Sequence, residues 1–163
     1  MVDKNIAIIE YLLACPSIRD NPVFFNCIQA KDGTKDIVTI ANDKAINRPH
    51  VDGSVQKRFA FTIQDFRSMT PNPLAFIPGE PPVLYNNENV ENMLDVQGII
   101  DWIDEQNDAR NFPNFGDKCV IDEIKTVTDN PNLNGIDNNV TPALGKYSVT
   151  VQIDYLDKTK TLY

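Results

Sequence analysis

Residues 146–156 restrict the fold of this chain more than any other segment. Tyr147, Val149, Val151, Ile153 and Tyr155 alternate there with Ser148, Thr150, Gln152 and Asp154. Successive side chains of a strand point to opposite faces, so the pattern predicts a strand with one buried face. The other face is left to water or to a partner. The apolar face needs a second layer to cover it.

The rest of the chain supplies that layer and the neighbouring strands. Residues 3–14 read as an amphipathic helix with Ile6, Ile9 and Leu13 on its buried stripe, widened by Leu12. Asp3 caps its start, and Pro16 ends it. Residues 23–29 predict a strand, which the turn Lys31-Asp32-Gly33-Thr34 folds back onto residues 36–41 as a hairpin. Phe59, Phe61 and Ile63 alternate through a third strand at 55–66. A second helix is predicted over 89–109, with Val90, Met93, Leu94, Ile99, Ile100 and Ile103 inward. Residues 118–128 read as a strand in which Cys119, Ile121 and Glu123 face opposite Val120, Asp122 and Ile124. The expected order is α-β-β-β-α-β-β. It gives an α+β fold of two layers, a mainly antiparallel sheet of about five strands with two main helices on one face.

Long loops are expected near 42–54, 70–86 and 129–145. The middle one holds five of the chain's eleven prolines, a density no regular element tolerates. At 163 residues the chain fits one domain, able to bury a core without a disulfide or a metal. Cys15, Cys27 and Cys119 form no close pair and read as small core side chains in a reducing compartment. No apolar run nears the roughly 20 residues of a membrane span, and Met1-Val2-Asp3-Lys4 does not open like a signal peptide.

The net charge of −8 argues against nucleic-acid or membrane-surface binding by the whole molecule. Its distribution is uneven. Residues 1–70 carry nine Lys/Arg and eight Asp/Glu, whereas residues 71–163 carry six and fifteen. Residues 88–108 hold seven acids and no base. Within them Asp101, Asp104, Glu105 and Asp108 fall at i, i+3, i+4 and i+7, one face of a helix. Like charges at that spacing repel, so the face is either solvated or met by a partner. Lys57, Arg58 and Arg67, with Lys44 and Arg48, make the 44–67 region basic. Acidic and basic patches on one chain suit a ring built head to tail.

No catalytic constellation is legible. His50 is the lone histidine, the glycines Gly33, Gly53, Gly79 and Gly98 are isolated, and no serine sits in a nucleophile elbow. Gly98 inside a helix suggests close packing against a neighbour. The expectation is therefore no enzyme, no cofactor and no metal site.

Four segments in order resemble one family. Ile9-Glu10-Tyr11-Leu12-Leu13-Ala14-Cys15-Pro16 is similar to its opening helix. Val51-Asp52-Gly53-Ser54 followed by Lys57-Arg58-Phe59-Ala60-Phe61 resembles its central strand. Asp101-Trp102-Ile103-Asp104-Glu105-Gln106-Asn107 with Asn111-Phe112-Pro113 resembles its helix end, and Tyr147 to Tyr155 its closing strand. The family comprises tail terminator and minor capsid (tail completion) proteins of tailed bacteriophages of Gram-positive hosts. The resemblance implies a virion subunit, made in the host cytoplasm and placed at the head–tail interface. It implies a hexameric ring capping the tail tube. The partners are then other copies of the chain, the tail tube protein and head–tail connector proteins, with DNA passing through unread. A head-completion protein at the same joint and a small monomeric protein-binding module remain alternatives. In the ring, Lys57, Arg58, Arg67, Asp101, Asp104, Glu105 and Asp108 are expected at the subunit interface or the lumen.

Overall fold

A computed structural model describes residues 3–19, 23–25, 35–46, 48–68, 87–127, 132–137 and 144–160. The Asp32-Gly33 turn, the proline-rich stretch 70–86 and Cys27 lie outside them. The elements are α1 (Lys4–Leu12), α2 (Pro16–Arg19), β1 (Val23–Phe25), β2 (Lys35–Ala45), β3 (Val55–Ser68), α3 (Asn87–Asp108), β4 (Cys119–Thr126), β5 (Asn132–Asp137) and β6 (Leu144–Asp157). The α+β class and the mostly antiparallel sheet with packed helices are as the sequence predicts.

The sheet runs β1-β2-β3-β6-β4, and β5 also pairs with β6. Its axis is the β3–β6 ladder, antiparallel and unbroken from Val55↔Asp157 to Ser68↔Leu144. The alternation in β6 then decides which face is covered. Tyr147, Val149, Val151, Ile153 and Tyr155 are all buried, and the middle three lie opposite Ile63, Phe61 and Phe59 of β3. Each such side chain contributes about 1.5–3 kcal/mol by leaving water, so this inner face is the main apolar anchor.

β4 and β5 lie along the same edge of β6. Thr126 pairs with Val151 and Asn132 with Ser148. Six residue steps of one chain segment, 126 to 132, thus span three of the other, 151 to 148. β4 and β5 share one side of β6, and six strands fill five positions across the sheet. The expected loop at 129–145 is therefore a correction, since β5 occupies its middle. The loop expected at 42–54 is likewise shorter, because β2 continues to Ala45.

Three local expectations fail for identifiable reasons. The 23–29/36–41 hairpin does not form: β1 pairs with β2 in parallel, Val23↔Lys35 to Phe25↔Ile37. In β4, Ile121 and Ile124 are both buried despite opposite parity. The register shifts between Ile121↔Tyr155 and Glu123↔Asp154, so Asp122 bulges out and returns Ile124 to the core. In α1, Ile6 and Leu13 are exposed, and Ala7, Ile8, Tyr11 and Leu12 are inward. Two apolar stripes compete on this helix, and an aromatic contact selects one. Tyr11 packs on Trp102 of α3 with ring centroids 5.1 Å apart, and its hydroxyl donates to the Asn111 carbonyl at 2.9 Å.

Asp3 caps α1 as expected, accepting from the Asn5 and Ile6 amides. Pro16 opens α2, where its missing N–H costs nothing. The core of α3 is Val96, Ile99, Ile100 and Ile103; Leu94, expected inward, is exposed. A methyl at Gly98 would lie 3.4 Å from the Ser17 hydroxyl, ordinary contact, so the site is not a close approach reserved for glycine.

Candidate functional site: the charged surfaces

Asp101, Asp104, Glu105 and Asp108 are all exposed on α3. Trp102, which meets α1, and Gly98, which meets α2, occupy a neighbouring flank of the helix. The four acids therefore face away from both the sheet and α1. Gln97 donates to Asp101 at 3.0 Å, and no ion pair joins the four among the described residues. Partial burial raises the Asp104 carboxyl, and the neighbouring charges of Asp101 and Asp108 raise it further. The repulsion foreseen from the spacing is thus present and uncompensated within the helix.

The basic strand behaves differently. Lys57 and Arg58 are adjacent in β3, so they point to opposite faces of the sheet. Lys57 reaches Asp157 at 2.8 Å, on the inner side. Arg58 meets its register partner Asp154 on the outer face, with Nε 2.8 Å and Nη2 3.3 Å from the two carboxylate oxygens. Arg67 bridges the buried Asp65 at 3.0 Å and Asp95 of α3 at 2.8 Å. The three cations expected to form one patch are separated, and each engages an acid of its own chain.

Arg67 belongs to a polar cluster inside the fold. Lys35 and Asp65 face each other in the β2–β3 register, Nζ 3.2 Å from Oδ2, each about 1% exposed. Burial lowers the Lys35 ammonium pKa, against the pull of Asp65. Asn92 of α3 donates to the Tyr147 hydroxyl at 3.5 Å. With Arg67–Asp95, this contact ties the first half of α3 to the sheet.

A different basic surface forms at the end of the sheet where β3 starts and β6 stops. Lys158 donates its amide to the Lys118 carbonyl at 2.7 Å, which brings the entry to β4 beside the exit from β6. Lys118, Lys160 and Arg48 are exposed there. The loop from Arg48 to Ser54 closes on itself: the His50 amide donates to the Ser54 carbonyl, and Asp52 accepts from the Ser54 amide and hydroxyl. Gly53 takes φ 92°, a value favouring glycine. His50, Val51, Asp52, Ser54 and Leu156 line a shallow depression, and Val51 is fully exposed at the tip. Asp117 is exposed nearby, and Asp157 is held by Lys57 and Thr159. Sequence reasoning missed this surface because its cations come from three distant segments that only the pairing register unites.

The outer face of the sheet holds a cavity of about 250 Å³ lined by Ile46, Gln56, Arg58, Asp122, Glu123, Asp154 and Tyr155. Its lining has no histidine, cysteine or serine to act as base or nucleophile. Among the described residues no group of three or more His, Cys, Asp or Glu is arranged to hold a metal, and no helix is long and apolar enough to cross a membrane. Cys15 is buried, and desolvation raises its thiol pKa. The chain matches no protein-family model and no curated protein sequence.

Proposed function

We propose that the chain is a structural virion subunit of the tail-terminator type, assembling with copies of itself into a ring at the head–tail joint. The observation that carries the reading is the packing of the family-like segments on one another. Tyr11 of the first packs against Trp102 of the third with the rings tilted, and its hydroxyl donates to the Asn111 carbonyl. Phe59 of the second and Tyr155 of the last both pack on Phe115. These residues serve as framework, which suits a subunit whose work is to hold a shape. The acidic outer face of α3 adds support, since an uncompensated charged helix face suits either a protein partner or a lumen that repels passing DNA.

In this reading the chain acts without bond-making chemistry. The β3–β6 ladder and the helix layer form a rigid wedge, and its charged surfaces meet the neighbouring copies, the tail tube and the connector. Locating the chain in an electron-microscopy density of a virion tests the proposal. Density for a ring of this fold at the tail's head-proximal end supports it. Placement within the connector gives the head-completion role instead, and absence from the particle rejects both.

A further inference from the structure

The cations first expected to meet the acidic helix each hold an acid of their own chain, which favours a partner surface elsewhere. On α3, Leu94 lies seven residues before Asp101, on the same face, and is 66% exposed. The outer face of α3 thus combines an apolar residue with four carboxylates. The basic end of the sheet has the complementary make-up: exposed Val51 and Arg48 lie on one loop and Lys118 and Lys160 at the entry to β4 and past the exit from β6, with Asp52 and Asp117 as the countercharges on its loops.

We propose that the outer face of α3 docks onto the basic sheet end of a second copy of this chain. The inference rests on the reading that the chain assembles with itself, and names the two surfaces involved. They are different patches, one on a helix flank and one at the strand ends, so the contact is heterologous and a bound pair keeps one free patch of each kind. That is the condition for growth into a ring or a filament. Opposite charge aligns the copies and excludes the like-charged pairing of two α3 faces. Apolar Leu94 and Val51 supply the area that excludes water around them.

Sedimentation velocity on the purified full chain tests this with three variants: Lys118→Glu/Lys160→Glu, Asp101→Lys/Asp108→Lys, and all four changes together. All four positions are exposed, and circular dichroism checks that each variant folds. Each double variant should weaken self-association by roughly tenfold or more, and the fourfold variant should recover it, because the charges are again complementary. Wild-type association should weaken with added salt. Oligomers indifferent to both double variants, or no recovery in the fourfold one, overturn this pairing of surfaces while leaving a ring possible. A wild-type chain that stays monomeric at every concentration, with tail tube protein added or not, overturns the ring and the interface together.

Discussion

Arg58 and Asp154 face each other across the β3–β6 ladder, with two hydrogen bonds of 2.8 and 3.3 Å between guanidinium and carboxylate. The pair raises the Arg58 pKa through that hydrogen bonding. It also makes Arg58 a residue of the sheet, engaged before any partner arrives.

Arg58→Glu should therefore act on stability. It sets two carboxylates directly opposite each other, and a partly exposed pair of this kind is worth about 1 kcal/mol or less. Urea denaturation should show a loss of that size. The oligomer mass should be unchanged, in contrast to the variants at Lys118 and Lys160.

Asp65 should be far less replaceable than Lys35. Removing the carboxylate leaves the buried Lys35 ammonium without its acid partner, a change that costs roughly 3–5 kcal/mol. Lys35→Met leaves Asp65 with Arg67 and replaces the ammonium by an apolar side chain of similar length. Denaturation midpoints should fall much further for Asp65→Leu than for Lys35→Met. Equal losses would remove the buried pair from the account.

What the sequence revealed here follows from the range of each interaction. The alternation in β6, the cap at Asp3 and the acidic face of α3 depend on residues within a turn or two of each other, and all were legible. The bulge at Asp122 depends on the register against Tyr155 and Asp154, which no local pattern encodes. The rotation of α1 depends on Trp102, some ninety positions away in sequence. The parallel pairing of β1 with β2 is likewise set by tertiary register and not by the local pattern. The basic sheet end joins Arg48, Lys118 and Lys160, which only the completed sheet brings to one place. For the same reason the in-chain partners of Lys57 and Arg58 were invisible: Asp157 and Asp154 lie in another strand.

Acid should weaken the molecule through Asp157. Burial opposes ionisation of this carboxyl, but hydrogen bonds from Lys57 and Thr159 outweigh it and pull the pKa from 3.8 down to about 2. A depressed folded-state pKa contributes stability that is complete above the unfolded value and is lost as pH falls through the folded one. Stability should thus decline between about pH 4 and pH 2, and the decline should be shallower in Asp157→Asn, as read by urea midpoints across that range.

Gly98→Ala should stabilise the fold. The new methyl meets the Ser17 hydroxyl at 3.4 Å, an ordinary contact, and alanine is favoured over glycine in a helix interior by about 0.5–1 kcal/mol. Thermal melts should move upward. A downward shift would mean that α3 and α2 pack too tightly for a methyl.

Native mass spectrometry of the purified chain reaches the central claim most directly. The account predicts a closed assembly whose mass is a whole multiple of 18.4 kDa, with six copies expected from the family resemblance. A single species at 18.4 kDa across the concentration range, unchanged by adding tail tube protein, would contradict it.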